Sequence, residues 1–522
     1  MKKLIALVLA LAMVFSLAAC GSSSDGSTES TPAASSDGSD DVKVLKVGLD
    51  IEPTSLDPNA TADGQGSMFV NYSVFATLWI LTANGNTSMV LAENYEYNDD
   101  HTEFTIHIRD DAKFADGNPV TAADVLYSLN NAAAGTGSMR LAAVDLANAS
   151  APDDKTVVLP LLMDSATLIE DLGIMMIMEE AWCTQSDDNI GLNVMASGAY
   201  TIKSWETGMG ITLAKNPEYF DAENVYYDEV QVSFIGSEDT RLLSFESGDY
   251  DIINLSSSAS VDEINSGARE GASVHTALIQ SVSGLIMNTT DFDTFADQNV
   301  RQAIGYAIDV PALVDSVLGS AYTVATSMLP SANYAYLNTG NYDYDLDKAK
   351  ELLAQAGYDE NNHFSFTLTI SDVGANSQLA EAIQAMLAKA NIDMAIESQD
   401  GATYMNNMIA NTIEAGFSTY MGSYEPAGIV NARRANIPAN MSKFGDAELE
   451  QLLEDCCTAT GEQEERIAMW HELQEKSYEY CDLIPIYESN QNYAISAELD
   501  ETTIDASVQG DGYLFATHLS GK

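Results

Sequence analysis

The residue types that could perform catalysis or bind a metal are scattered along this chain. Four cysteines show no Cys-x-x-Cys spacing and no accompanying histidines: Cys183, Cys456, Cys457 and Cys481. His471-Glu472 does not extend to a zinc-protease HExxH motif, because Glu475 stands where the second histidine belongs. No GxSxG elbow or P-loop occurs, and the 78 Asp and Glu residues are too many for one glycosidase-like pair to stand out. The pattern therefore favours binding over catalysis, with neither a cofactor nor a resident metal.

The first twenty residues carry the signals for export and a covalent modification. Lys2 and Lys3 precede an apolar run, Leu4 to Phe15, that is typical of a secretory signal and too short to span a bilayer comfortably. Small residues stand before Cys20, and Leu17-Ala18-Ala19-Cys20 resembles the bacterial lipobox. That resemblance implies a signal peptide over residues 1–19 and lipidation of Cys20, whose several acyl chains, palmitate among them, hold a protein firmly to a membrane. An ordinary secretory signal cut elsewhere is the alternative.

Residues 20–41 are predicted to be a flexible linker. After Cys20 the segment contains only Gly, Ser, Asp, Thr, Glu, Pro and Ala, so it cannot bury enough apolar surface to offset its ordering entropy. A Gly/Ser-rich chain of this length has a root-mean-square reach of about 25 Å. That reach would separate a folded domain from the lipid headgroups.

Length and charge limit the possible classes of function. The 522-residue chain leaves enough sequence beyond the linker for two or three hydrophobic cores. Its formal net charge of −56 excludes nucleic acid as a partner on electrostatic grounds. No stretch after the leader is apolar for long enough to cross a membrane.

Apolar periodicity predicts the elements of the first half. Alternation indicates strands at Val42–Leu49 and Glu103–Arg109, and a mostly apolar face indicates a helix over Met68–Leu81. Thr121 and Asp124, three residues apart before an apolar run, form a capping-box pattern that starts a second helix.

The second half reads as alternating strands and helices. Strands are predicted at Phe364–Ile370 and Ile392–Ile396, joined by a helix over Ser377–Ala390. This βαβ unit should cross over right-handed and indicates an α/β lobe. Two late helices are predicted from Asp446 to about Cys457 and over Glu462–Tyr480.

Short motifs follow one another in order from Val42 to the C-terminus. The most distinctive runs from Phe114 through Ala115-Asp116-Gly117-Asn118-Pro119-Val120-Thr121 to Val125; others are Leu56-Asp57-Pro58, Ser197-Gly198-Ala199-Tyr200, Lys215-Asn216-Pro217-Glu218-Tyr219-Phe220, Val300-Arg301-Gln302-Ala303-Ile304 and Leu483-Ile484-Pro485-Ile486-Tyr487. These motifs resemble the peptide/nickel family (family 5) of ABC-transporter solute-binding proteins. The resemblance implies an α/β, periplasmic-binding-protein-like fold of class II, with ligand enclosed between two lobes.

The resemblance also implies a domain plan and a cellular role. Lobe I, including an extra subdomain, is expected over residues 42–280, lobe II over 281–487, and a C-terminal return to lobe I over 488–522. Such lobes hinge shut on ligand, and the closed shape is what the permease recognises. We expect a lipid-anchored monomer on the outer face of the bacterial cytoplasmic membrane that delivers peptides to an ABC importer.

One departure from the family pattern leaves the cargo open. Peptide-carrying members hold an extended peptide backbone through strand-like hydrogen bonds and commonly pair its amine with an aspartate. In the corresponding segment, Tyr420–Pro426, that position falls on Gly422 or Ser423. Nickel chelates and oligosaccharides therefore remain alternative cargoes, a sensory role also stays open, and a surface-anchored hydrolase is a distant alternative.

The candidate ligand-binding residues follow from the same comparison. Four lie in this loop and four elsewhere: Tyr420, Ser423, Tyr424 and Glu425, then Ser67, Met68, Trp205 and Arg433. The alternative interpretation for the aromatic residues is core packing. For Glu425 the alternative is a solvated loop carboxylate, and for Arg433 it is a surface ion pair.

Overall fold

The structure of the chain is a computed structural model. It describes residues 42–58, 65–82, 84–138, 140–185, 194–422, 424–430, 433, 444–508 and 513–522. The predicted leader, linker and lipidation site at Cys20 lie outside these residues.

Seventeen strands form within the described residues. In chain order they are β1 (Val44–Leu49), β2 (Trp79–Leu81), β3 (Thr87–Met89), β4 (Ala92–Tyr97), β5 (Glu103–Ile108), β6 (Ser150–Asp153), β7 (Thr156–Pro160), β8 (Tyr200–Glu206), β9 (Gly210–Lys215), β10 (Glu229–Phe234), β11 (Ile252–Leu255), β12 (Ser273–Met287), β13 (Tyr322–Val324), β14 (Phe364–Ser371), β15 (Ile392–Gln399), β16 (Ala415–Met421) and β17 (Leu483–Ile495).

Fourteen α-helices accompany these strands in the same part of the chain. They are α1 (Gln65–Val74), α2 (Ala122–Ala134), α3 (Leu168–Gly173), α4 (Glu180–Gln185), α5 (Glu238–Glu246), α6 (Ser258–Asn265), α7 (Gln298–Ala307), α8 (Val310–Val317), α9 (Leu346–Gln355), α10 (Asn376–Leu387), α11 (Gly401–Ile409), α12 (Pro426–Val430), α13 (Ala447–Thr458) and α14 (Gln463–Tyr480). None of the described helices is both long and apolar enough to cross a bilayer.

Two long antiparallel strands, β12 and β17, hold the architecture together. The largest sheet has the order β15-β14-β16-β12-β17-β11-β1-β10-β9-β8, with β13 also paired to β17. The start of β12 pairs with the end of β17 next to β11, whereas the second half of β12 pairs with β16 and the start of β17. β12 and β17 therefore connect the β15-β14-β16 part of the sheet to the part that begins with β11.

The pairing of these two strands is interrupted near its middle. Register shifts occur between Leu278 and Val282 and again between Ser283 and Gly284. Bulges of this kind bend a strand and locally increase its twist. The interruption separates the part of the β12–β17 pair that lies next to β11 from the part that lies next to β16.

Separate hydrophobic cores lie at the two ends of the sheet. One is built from β1, α1 and β8–β10, and the C-terminal segment adds Leu499, Leu514 and Leu519 to it. A second core contains α7–α10 with β14 and β15. Further clusters lie around the small sheet β4-β5-β7-β6 and around α13 and α14.

Most of the local predictions are confirmed. Thr121 and Asp124 form the predicted capping box at α2, and β14 and β15 are parallel and joined through α10. The prediction of one helix over Met68–Leu81 is wrong in its second half. Helix α1 ends at Val74, and Trp79–Leu81 pairs instead with β3 as an antiparallel strand.

Candidate ligand-binding site

A cavity of about 320 Å³ lies at the carboxyl ends of β1 and β11. These strands are parallel, and β17 runs antiparallel beside β11. Residues that follow β1, end β11, begin β13 and belong to β17 line the cavity. Ligands of open α/β sheets bind outside the carboxyl ends of the strands, and the volume lies at the lower end of the range for small-molecule sites.

Three residues that line the cavity also contain enclosed acceptor oxygens. The Oδ1 atoms of Asp50, Asn254 and Asn490 are buried and have no hydrogen-bond partner among the described residues. The neighbouring Asn492 differs, because its Oδ1 accepts from Thr276 Oγ1 at 2.8 Å and its Nδ2 donates to a main-chain oxygen at 3.2 Å. Most of the side chains that line the cavity are polar, so the wall suits a polar ligand.

A buried arginine holds together the strand ends that form the cavity wall. Arg241 donates to the main-chain oxygens of Ile235 at 2.6 Å and Asn254 at 3.2 Å, and so ties the carboxyl ends of β10 and β11 together. Burial lowers the pKa of its guanidinium, while the carboxylates of Asp50 and Glu238 act in the opposite direction. Arg241 is thus a structural cation of this wall.

Trp205, a predicted site residue, contacts the segment that follows β1. Its indole Nε1 donates to Glu52 Oε1 at 2.8 Å, and the amide of Gly208 donates to Glu52 Oε2 at 2.9 Å. The β8–β9 hairpin thereby holds the segment after β1. Ile51 and Met209, beside these contacts in sequence, are 48% and 72% exposed and give this region an apolar surface.

Ser67 and Met68 lie in the first turn of α1. A Cβ atom added to Gly66 would lie 1.8 Å from the main-chain oxygen of Ile51, so the helix begins directly against the segment after β1. Ser67 is fully buried, with no hydrogen-bond partner for its hydroxyl among the described residues, whereas Met68 is partly exposed. The structure thus brings Ser67, Met68 and Trp205 to the same segment that contributes Asp50 to the cavity.

The predicted loop after β16 is attached to the interrupted part of β12. Gly422 donates its amide to the main-chain oxygen of Gln280 at 3.0 Å. Asn333 Nδ2 donates to Gln280 Oε1 and to the main-chain oxygen of Tyr424, both at 2.9 Å. Ser423, predicted to bind ligand, lies outside the described residues.

Space at Gly422 is limiting. An added Cβ atom would lie 2.9 Å from the main-chain carbon of Gly428 and 2.9 Å from the main-chain nitrogen of Ile429. A side chain at this position requires a backbone shift. One of the two positions where the family resemblance implies an amine-pairing aspartate therefore cannot hold one in this conformation.

Glu425 is buried, so its interpretation as a solvated loop carboxylate is wrong. Its Oε2 accepts from Tyr334 Oη at 2.8 Å and forms an ion pair with Arg466. Burial raises the pKa of Glu425, although Arg466 and Tyr334 act to lower it. Its amide donates to Glu170 Oε2 at 2.6 Å, which connects α12 to α3.

Tyr420 and Arg433 lie within the protein core. Arg433 forms an ion pair with Asp482, and both side chains are fully buried. The alternative interpretation of Arg433 as part of a surface ion pair is therefore right about the pairing and wrong about the surface position. The guanidinium carbon also lies 4.1 Å from the ring centroid of Phe444 and 5.9 Å from that of Tyr420. Burial alone would lower the pKa of Arg433, but the Asp482 carboxylate raises it overall. For Tyr420 and Arg433 this position favours a packing role.

Sequence reasoning missed the polar residues of the cavity and of the β12 attachment. They are Asp50, Asn254, Asn490, Gln280 and Asn333. Asp50 directly follows a predicted strand, and that was the available signal. The amide side chains carried no motif, because they come together only through strand pairing.

A second cavity of about 170 Å³ differs in chemistry. Phe75, Phe220 and Phe515 are among its aromatic lining residues. It contains no buried oxygen or nitrogen without a partner among the described side chains that line it. The cavity beside Asp50, which is lined mostly by polar side chains, is the better candidate for recognising a polar ligand.

Three known proteins show what the chain is similar to. The probable D,D-dipeptide-binding periplasmic protein of Escherichia coli K12 is 26% identical over 480 residues, which cover 87% of this chain and 90% of that protein. The unliganded open form of the murein tripeptide-binding protein MppA has a TM-score of 0.82 at 20% identity, covering 92% and 98% of the two chains. The protein AgaA of A. tumefaciens R10, in complex with agropinic acid, has a TM-score of 0.67 at 27% identity, covering 90% and 96%.

A family profile covers well over half of the chain. The description "Bacterial extracellular solute-binding proteins, family 5 Middle" matches residues 86–430. The predicted two-lobed α/β fold is confirmed by the solved structures, and the prediction of a binding protein rather than an enzyme is confirmed by the family. The chain belongs to the family 5 extracellular solute-binding proteins of ABC transporters.

Proposed function

We propose that this protein captures short peptides outside the cytoplasm and presents them to the permease of an ABC importer. The observation that carries the proposal is the 320 Å³ cavity at the sheet edge, whose lining of mostly polar side chains suits the polar groups of a peptide. The D,D-dipeptide-binding relative and the dipeptide-binding protein of Bacillus subtilis, 23% identical over 539 residues, support this cargo class.

We further propose that β12 and β17 are the two crossings between lobes over residues 42–280 and 281–487, with residues 488–522 returning to the first lobe. The register shifts beside Gln280 support the first boundary, and the pairing of Val282 with Glu488 supports a second boundary opposite it. Closure by bending at these strands would add contacts to cargo that the open form lacks.

The proposed contact residues come from both sides of this crossing. Ser67, Met68 and Trp205 lie around the segment that follows β1, and Tyr424 is attached to β12 through Asn333. Glu425 follows Tyr424 directly, and Ser423, which precedes it in sequence, is proposed from the sequence alone. Tyr420 and Arg433 would support that loop from within the core rather than contact cargo.

Peptide capture is tested with the purified full chain and a mixed library of di- to pentapeptides. We expect an increase in thermal unfolding temperature with some library pools, since a ligand that binds only the folded state stabilises it. Native mass spectrometry of co-purified ligand would then give the cargo mass. Peptide pools that cause no shift, together with a co-purified non-peptide mass, would refute the peptide assignment.

The proposed membrane attachment depends on Cys20. We expect radiolabelled palmitate to be incorporated into the chain and lost in the Cys20→Ala variant, with the protein moving from the membrane fraction to the medium. Unlabelled wild-type protein would refute the anchor. We propose a monomer, for which light scattering should give a mass close to that of one chain.

A non-peptide solute is the second candidate cargo. The lack of space for a side chain at Gly422 favours it, and AgaA is a family-like structure with agropinic acid bound. A nickel chelate or an oligosaccharide belongs to the same alternative. Native mass spectrometry separates all of these from peptides by mass and isotope pattern.

A further inference from the structure

A short segment between β13 and α9 contacts both of the long strands at the centre of the sheet. Ser331 donates its amide and its hydroxyl to the two carboxylate oxygens of Glu488, at 3.0 and 2.6 Å. Two residues later, Asn333 Nδ2 donates to Gln280 Oε1 at 2.9 Å. Glu488 lies in β17 and Gln280 in β12, and each is only 1% exposed. Residues 331–334, which we call the clasp, therefore contact both strands where their pairing is interrupted.

The clasp also holds the loop after β16. Asn333 Nδ2 donates to the main-chain oxygen of Tyr424 at 2.9 Å as well as to Gln280. The next residue, Tyr334, donates its hydroxyl to Glu425 Oε2 at 2.8 Å. Tyr424 and Glu425 belong to the loop for which contacts with cargo are proposed. The clasp thus joins this loop to the two strands at which the lobes are proposed to bend.

Asn333 is the central residue of the clasp. A side-chain amide nitrogen carries two hydrogens, and Asn333 uses one for Gln280 and the other for Tyr424. Its Oδ1 accepts from the amide of Ala335 at 2.9 Å, which fixes the orientation of the side chain. Because Asn333 is only 4% exposed, water offers little replacement for a lost partner. A shift of the main chain at Tyr424 must therefore either break a buried hydrogen bond or move Gln280 with it.

We propose that Asn333 is a positioning residue that couples the loop after β16 to the bending of β12. This inference rests on the proposed function, in which cargo contacts that loop and the lobes close at β12 and β17. Cargo that displaces Tyr424 moves Gln280 through Asn333, while Ser331 holds the other end of the clasp on β17. Contact with cargo and closure of the lobes then occur as one event.

Two variants open this link on opposite sides. Gln280→Met removes the acceptor on β12 and keeps the hydrogen bond between Asn333 and Tyr424. Asn333→Asp cannot donate, so it loses the bond to Tyr424. Gln280 can then turn its amide and donate its Nε2, which has no partner among the described residues, to the carboxylate. Both variants keep the main-chain hydrogen bond from Gly422 to Gln280.

Closure and peptide release are measured on the purified full chain with a peptide pool that raises the unfolding temperature of the parent. Small-angle scattering reports closure as a decrease in the radius of gyration at saturating peptide. We expect both variants to lose most of this decrease and to release peptide about tenfold faster in stopped-flow experiments. The double variant should add little to either single one, because the same link is already open. Full closure with parental release in either folded variant would overturn the coupling, whether or not its unfolding temperature falls.

Matched controls make the same chemical changes elsewhere. Gln384→Met removes a buried-side amide whose Nε2 donates to the main-chain oxygen of Met394 at 2.7 Å. Asn216 resembles Asn333, because its Nδ2 donates to the main-chain oxygen of Gly198 at 2.8 Å and its Oδ1 accepts an amide two residues later. Gln384→Met and Asn216→Asp should leave closure and release unchanged, and any fall in their unfolding temperature measures the structural cost alone. If Asn333→Asp fails to fold, Gln280→Met alone decides the test.

Hydrogen exchange on the cargo-free protein separates this inference from peptide capture. The amides of Glu425 and Gly428 donate to Glu170 Oε2 and to the main-chain oxygen of Glu425. If no peptide pool binds, we still expect exchange at these two amides to be about threefold faster in Gln280→Met than in Gln384→Met. That result would support the coupling while peptide capture is refuted. Equal exchange in the two variants would overturn the coupling as well.

Discussion

The ion pair between Arg466 and Glu425 offers a direct test of how the loop after β16 is held. Glu425 has a side chain only 6% exposed, and its pKa is already raised by burial. In Arg466→Met, Glu425 Oε2 keeps the hydroxyl of Tyr334 at 2.8 Å but loses its cation. Leaving one member of a buried pair uncompensated costs about 3–5 kcal/mol, a large part of the roughly 5–15 kcal/mol stability of a typical domain.

The sign of the pH dependence follows from the same geometry. Removing Arg466 takes away the interaction that lowers the pKa of Glu425, so its folded-state pKa rises further above the ordinary carboxyl value. A group with a raised folded-state pKa contributes stability at low pH that is lost as the pH rises through that pKa. The deficit of the variant should therefore be larger at pH 7 than at pH 5.

Urea unfolding followed by the fluorescence of the four tryptophans, Trp470 among them, measures the effect. Trp470 is fully buried and lies on α14, four residues from Arg466. Lys476→Met on the same helix is the matched control, because Lys476 pairs with the largely exposed Glu448 and should cost at most about 1 kcal/mol. Adding Glu425→Gln to Arg466→Met should restore most of the loss. If Arg466→Met costs no more than Lys476→Met, the argument from burial is refuted.

Three further predictions concern other parts of the fold. Thr121→Ala should destabilise the protein by about 1–2 kcal/mol in urea unfolding, because it removes half of a capping box, and an unchanged stability would contradict the cap. Gly422→Ala and Gly422→Asp should both lower the thermal unfolding temperature, because the added Cβ atom would lie 2.9 Å from the main-chain carbon of Gly428. A variant that is as stable as the parent would show that the loop has room for a side chain. Burial raises the pKa of Glu488, so Glu488→Gln should be at least as stable as the parent at pH 7. The stability advantage of the variant should shrink towards pH 4, and an advantage that grows on acidification would contradict the predicted pH dependence.

Local structure could be predicted where the sequence itself contains the determining interaction. The capping box of α2 joins residues three apart, and the βαβ unit of β14, α10 and β15 is set by apolar periodicity within a short stretch. The sequence predicts too long a helix over Met68–Leu81 because Trp79 is apolar at a helical spacing. Its indole Nε1 instead donates to the main-chain oxygen of Ile169, ninety residues away, and its strand pairs with β3.

Charged residues were harder to place than apolar ones. In a chain with a net charge of −56, surface exposure is the natural expectation for Glu425 and for Arg433. Each is buried because one opposite charge reaches it, Arg466 in α14 and Asp482 just before β17. Such pairing depends on contacts between distant segments, and no local pattern reports it.

The polar wall of the cavity shows why a site of this kind escapes motif reasoning. Asp50, Asn254 and Asn490 are separated by more than two hundred residues at each step, and β11 brings them together by pairing with β1 on one side and β17 on the other. Each side chain alone would be unremarkable. Their significance lies in the polar lining that they give to one cavity, and that is a property of the assembled sheet. Only strand pairing between segments this far apart can bring such polar side chains to one cavity, so no local pattern in the sequence marks them.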